Sequence, residues 1–236
     1  MSLVEDTAAF LADGENWTGP SGIPARLVEH LTVSVSAVLL AAALALPLAF
    51  WLGHTGRGGG LVVGLSNASR AVPTFAVLVL LVATPVGFGD RATVVALFVF
   101  AVPAILTNAF VGVRDVDRDV RDAALGMGMS GWQLLRRVEL PLALPLVAAG
   151  IRTASVQVIA TATLAAYVGG GGLGRFVADG FGRADPAMTA AGGVLVAALA
   201  LVTELALGRV QRRVTPGPRI VRRRPVVAQD VQAVQV

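Results

Sequence analysis

Bond-making chemistry needs residue types that this 236-residue chain scarcely holds. Two histidines, one tyrosine and no cysteine are present. That excludes a disulfide framework, a thiolate metal site and a cysteine nucleophile, and leaves no set for acid–base or nucleophilic work. All 19 basic residues are arginine. A phosphate-binding P-loop uses a lysine to reach nucleotide phosphates, so the chain is no standard nucleotide hydrolase of that type. The informative spacing lies in residues 113–141, VRDVDRDVRDAALGMGMSGWQLLRRVELP. Val113, Val116, Val120 and Ala124 recur at three- and four-residue steps, on one face of a helix. Arg114, Arg118 and Arg121 form a second stripe and Asp115, Asp119 and Asp122 a third, with opposite charges within reach. Gly126 and Gly128 weaken the helix. Ser130 and Gln133 have capping-box spacing and open a second short helix carrying Trp132, Leu134, Leu135 and Val138. A helix, a glycine turn and a helix therefore feed into the apolar run opened by Leu140-Pro141. Its plain alternative is a solvated amphipathic linker.

The elements that must position this elbow are apolar. The chain is 55% hydrophobic and 14% charged, against roughly 25% charged for a soluble domain, and its mean hydropathy is positive. It reads as an all-α integral membrane protein with short loops, a conduit and not an enzyme. Five spans are expected near residues 31–52, 61–86, 92–113, 142–167 and 187–207, each long enough for a ~30 Å hydrocarbon core. The polar, acidic first 29 residues lack the basic n-region of a signal peptide, and Val4 to Leu11 suggests a short surface helix. Trp51 and His54 mark the end of the first span; a lone loop histidine such as His54 is expected to be solvated. The second span is interrupted at Asn67-Ala68-Ser69-Arg70 and by Pro73, which removes a helix hydrogen bond. Arg70 either lines a path or ties helices together.

The third span holds Pro103 and Asn108. The fourth is unusually polar, with Arg152, Thr153, Ser155, Gln157, Thr161 and Thr163. Small and hydroxylated residues also serve helix packing, yet this concentration makes the fourth span the candidate translocation path, with Asn67, Arg70 and Asn108. Gly169 to Gly172 and Gly174 suggest a flexible lead into a short re-entrant or surface helix, Leu173 to Phe181. Glu204 is a candidate partner for Arg70 or Arg152. The arginine-rich tail from Arg209 is expected to be disordered.

Five spans put the termini on opposite sides. The tail, the loop with Arg114, Arg118, Arg121, Arg136 and Arg137, and the turn with Arg57 then share one side, which the arginine bias makes cytoplasmic. The acidic N-terminus, Asp90, Asp179 and Asp185 fall outside. The isoelectric point near 11.1 fits membrane orientation and anionic lipid contact, not nucleic acid.

Asp122-Ala123-Ala124, three residues, Gly128, nine residues and Val138-Glu139-Leu140-Pro141 resemble the EAA loop of ABC importer permeases. That pattern has Glu, Ala, Ala, Gly and Ile-x-Leu-Pro at the same spacing; Asp122 and Val138 depart from it but keep charge or shape. The resemblance covers about Leu27 to Gly208. In Gly126 to Gly174 and Asn67 to Phe75 it points to permeases for osmoprotectants such as glycine betaine, choline, carnitine and proline. It implies a type I ABC importer (MetI-like) permease fold with five core transmembrane helices in residues 27–208. An extracytoplasmic segment 1–26 and a basic cytoplasmic tail 209–236 would flank them. The loop between the third and fourth helices would dock on an ATPase through Asp122, Ala123, Ala124, Gly128, Ser130 and Trp132, with Leu140 and Pro141 fixing the exit angle.

The implied partners are that ATPase, a second permease subunit (identical or paralogous), an extracytoplasmic solute-binding protein and the lipid bilayer of the cell membrane. No cofactor is expected on this chain; ATP and Mg would sit on the ATPase. The spans offer few aromatics for a quaternary-ammonium cage, and the length leaves no room for a fused binding domain after the fifth span, so that cage is expected on a separate protein. Permeases for methionine or another amino acid share the glycine run and the loop and stay open as alternatives. So do two other classes: an ATPase-independent secondary transporter or channel, and a membrane scaffold.

Overall fold

Ser2 accepts a hydrogen bond from the Glu5 amide while Glu5 reaches back to the Ser2 amide, a complete capping box, and this starts α1 (Leu3–Ala12). The computed structural model describes residues 2–215, and every regular element among them is helical. After a 3-10 turn, Gly14–Trp17, come α2 (Ile23–Thr55), α3 (Gly59–Ala71), α4 (Thr74–Val82) and α5 (Asp90–Arg114). Then follow α6 (Arg118–Gly126), α7 (Gly131–Leu134), α8 (Leu140–Ala162), α9 (Gly174–Gly182) and α10 (Pro186–Val214). Four helical segments are long and apolar enough to cross a membrane, and five with the bent pair of α3 and α4. That pair turns by 80° beside Pro73, whose ring and missing N–H stop a helix from continuing.

α5 lies between α2 and α8 because small residues let it. Ala37, Ala41, Ala45 and Ala49 recur every fourth residue along α2 and are all fully buried. On α8, Ala143, Val147, Gly150, Ala154 and Val158 make the matching stripe. A Cβ on Gly150 would stand 2.7 Å from the Asn108 Cβ, and one on Gly112 would stand 3.2 Å from the Ala143 carbonyl. Lipid supplies no hydrophobic drive between helices, so close packing of small side chains has to do it.

The expected short surface helix is present as α1, with only Thr7 buried; Phe10 fastens it by meeting the Phe176 ring edge-on at 6.0 Å, and Leu11 joins Ile23, Leu173 and Val196 in a cluster between α1, α2, α9 and α10. Two expectations change at the ends of the bundle. The glycine run is not a flexible lead. The Gly171 amide donates to Asp90 at 3.0 Å and the Gly172 amide to Glu29 at 2.8 Å, which ties the starts of α2 and α5 to the approach to α9. Disorder does not begin at Arg209, since α10 continues to Val214 and carries Arg209, Arg212 and Arg213. The remainder of the tail, with Arg219, Arg222, Arg223 and Arg224, lies outside the described residues.

Candidate functional site: the elbow after α5 and a polar cavity

The elbow is built from caps. The expected continuous helix from Val113 is broken: α5 ends at Arg114, and the Asp117 side chain accepts from the Asp119 amide at 2.8 Å to start α6. An aspartate at that position stabilises a new helix start better than it continues an old helix. Val113, Val116 and Ala124 still bury, whereas Val120 is exposed. α6 ends in a Schellman motif, with the Gly128 amide donating to Leu125 at 2.9 Å and the Met129 amide to Ala124 at 3.2 Å. Gly128 has φ +85°, the left-handed geometry that glycine adopts without a Cβ penalty. Ser130 and Gln133 form the expected capping box for α7.

A π-helical turn, Leu135–Glu139, joins α7 directly to α8, with Pro141 in its first turn. Asp122, Ala123, Gly128 and Ser130 are exposed and Leu140 is half-buried. Met127 is 74% exposed and Trp132 64%, so an apolar pair crowns an otherwise charged loop. The Arg136 guanidinium stands over the Trp132 ring at 5.6 Å.

What anchors the elbow is a set of contacts between residues far apart in the chain. Glu139 is fully buried. Its Oε2 lies 2.6 Å from His54 Nδ1, and its Oε1 lies 3.1 Å from an Arg121 nitrogen. That same nitrogen donates to the His54 carbonyl at 3.2 Å, where the negative end of the α2 dipole favours a cation. His54 is therefore not a solvated loop histidine: it sits against Glu139 on one side and Gly131 on the other. Arg121 leaves its expected aspartate neighbours; among the described residues the arginine and aspartate stripes of α6 form no ion pairs with each other. The signal available in the sequence was one acid, Glu139, between Val138 and the apolar run opened by Leu140-Pro141.

A second feature is a cavity of about 480 Å³ at the α3–α4 bend, α5 and α8. Among the described residues, Ser66, Ser69, Thr74, Thr107, Asn108, Thr153 and Gln157 give it a neutral polar lining, with Phe100 and Pro103. Ser66 and Thr107 hydrogen-bond across it, and the Asn108 amide is aimed by a 2.8 Å bond to the Ala104 carbonyl.

Of the candidate path residues, Asn108 and Gln157 meet here. Asn67 is exposed on α3, outside the lining. The Arg70 side chain lies outside the described residues. Ser155 faces a different hollow, between α2, α8 and α10. Thr161 is half-buried away from the cavity, and the Thr163 hydroxyl is buried in the 3-10 turn after α8. Arg152 points to α10: it holds Glu204 by two contacts, 2.9 and 2.6 Å, and Gln211 at 2.6 Å. The candidate pairing of Glu204 with Arg152 is thus observed.

A multi-pass helical bundle with a capped, protruding elbow between two spans defines a membrane-embedded subunit that a second protein can grip. Residues 38–216 match the family described as binding-protein-dependent transport system inner membrane component. The chain belongs to that family, a family of non-catalytic transport subunits. It is 40% identical over 188 residues to the carnitine transport permease protein OpuCB of Listeria monocytogenes, covering 80% of this chain and 86% of that one. It is 38% identical to the glycine betaine/carnitine/choline transport system permease protein OpuCB of Bacillus subtilis, with the same coverage. Among solved structures, the inward-facing MetNI methionine ABC transporter in its native crystal form matches with a TM-score of 0.69 at 22% identity. That match covers 82% of this chain and 96% of the other, and it establishes the type I ABC importer permease fold.

Proposed function

We propose that this chain is the transmembrane subunit of an ATP-driven importer for osmoprotectants of the carnitine, glycine betaine and choline class. The single observation that carries the reading is the elbow. A Schellman turn and a capping box hold two short helices out from the bundle, with Met127 and Trp132 exposed at the tip. Large apolar side chains on a charged loop mark a protein-docking surface. The occupant proposed is an ATPase subunit, which carries the ATP and Mg; a second permease subunit and an extracytoplasmic binding protein complete the assembly. The solute class is supported by its relatives, which are carnitine and glycine betaine/carnitine/choline transport permeases.

The arginine bias supports a cytoplasmic elbow and C-terminus and an outer N-terminus. The polar cavity holding Asn108 and Gln157 is this subunit's share of the path. The test is reconstitution of the chain with its ATPase, partner permease and binding protein in proteoliposomes. ATP-dependent uptake of labelled carnitine, glycine betaine or choline is expected. Uptake of methionine alone, or uptake by this chain alone under an ion gradient, would overturn the reading.

A further inference from the structure

The elbow touches the bundle lightly. α6 buries only Ala124 and α7 only Leu134, and apolar contacts of that size resist sliding poorly because they have no direction. The link through Glu139 is different in kind. It joins three elements at once: the end of α2 through His54, α6 through Arg121, and the start of α8 through Glu139 itself. Only Oε2 is hydrogen-bonded, to His54; the buried Oε1 meets Arg121 at ion-pair distance without a hydrogen bond, and a hydrophobic residue of like volume in place of such a group would often stabilise the fold better. Such groups are best attested as devices that fix one geometry. The π-helical turn adds to this. It places an extra residue per turn ahead of α8, a distortion found mostly at functional positions, and the fully buried Glu139 lies within it.

We propose that Glu139 is the positioning residue of energy coupling. Its carboxylate locks α6 to the ends of α2 and α8, so that a displacement of the elbow reaches both spans together. Without that carboxylate, α6 is retained only by Ala124 and the single bond from Arg121 to the His54 carbonyl; it rocks against the bundle, and motion of the docked partner is dissipated in the loop. The proposal rests on the elbow being the ATPase dock.

The test uses the complete reconstituted transporter with Glu139→Gln and Arg121→Gln, singly and combined. Glutamine keeps the size of Glu139 and removes the charge that Arg121 and His54 meet. Solute uptake and ATP hydrolysis are read in the same vesicles, and ATPase retention by co-purification. Retention and hydrolysis are expected to stay near wild type. Solute moved per ATP is expected to fall by about fivefold or more, the usual lower range of site-to-site coupling. The double variant should fall no further than either single one, because both break one network. A proportionate fall in uptake and hydrolysis, with the ratio unchanged, would reduce Glu139 to a structural role and overturn the proposal. Should Glu139→Gln fail to fold, Arg121→Gln, on the half-buried side of the network, gives the same readout. Failure of the wild type to retain the ATPase would remove the reading beneath the proposal, and the proposal with it.

Discussion

Replacing Gly128 by alanine isolates what the elbow turn contributes. Gly128 has φ +85°, and a Cβ added there meets nothing within 4 Å. The substitution therefore creates no clash and touches no part of the bundle; its whole cost is backbone strain. For an L-residue in the left-handed region that cost is roughly 1–2 kcal/mol, which lowers the population of the turn about 5- to 30-fold. Gly126 supplies the control. It also has open space around it but lacks the positive φ, so alanine there gains up to ~1 kcal/mol of helix propensity. Titrating the purified permease variants with their ATPase should show affinity weakened by up to about 5- to 30-fold for Gly128→Ala. Gly126→Ala should bind as well as wild type. Asparagine, which tolerates the left-handed region, should fall between glycine and alanine at position 128. Melting should shift by no more than these small terms imply, a few degrees, with the bundle still folded in all of them. Equal affinity for Gly128→Ala and wild type would refute the idea that the capped turn presents the docking surface.

Other consequences concern the bundle. Arg152 and Glu204 pair between the spans α8 and α10, where charges are costly unless partnered, so Glu204→Gln should lower the stability of the bundle. Thermal unfolding in detergent should register that loss, while transport per folded molecule should hold; a selective loss of transport would return Arg152 to the path. Gly150→Val places carbon 2.7 Å from the Asn108 Cβ and should destabilise the α5–α8 packing by about 1–3 kcal/mol, read as a lowered melting point. Unchanged melting would contradict the close approach of those helices. Asn108→Leu and Gln157→Leu should slow uptake with ATPase affinity unaltered, measured by vesicle transport and titration side by side.

The elbow was legible because its determinants are local. Ser130 and Gln133 are three residues apart, and Gly128 follows a helical pattern directly, so spacing alone identifies cap and turn. The break at Asp117 was equally local but was masked by the period of Val113, Val116, Val120 and Ala124, which runs through the break without a gap. Contacts distant in the chain were not legible. His54 and Glu139 are 85 residues apart, and nothing around a histidine after Trp51 announces a buried carboxylate. The same holds for the glycine run, whose amides are held by Glu29, 143 residues away, and by Asp90. In the fourth span, composition could not tell which side of the helix each polar residue occupies. Gln157 and Thr153 face the cavity, Ser155 another hollow and Arg152 a neighbouring helix.

The natural absence of cysteine permits a direct test of the docking claim. Single cysteines would be placed at Met127, on the elbow tip, and at Phe88, equally exposed between α4 and α5. With a membrane-impermeant thiol reagent on sealed vesicles of known orientation, Met127→Cys should react only from the cytoplasmic face and become protected when the ATPase is added. Phe88→Cys should react only from the opposite face and stay indifferent to the ATPase. Reaction of Met127→Cys from the outer face, or no protection by a bound ATPase, would contradict the reading of the elbow as the point where the ATPase grips this chain.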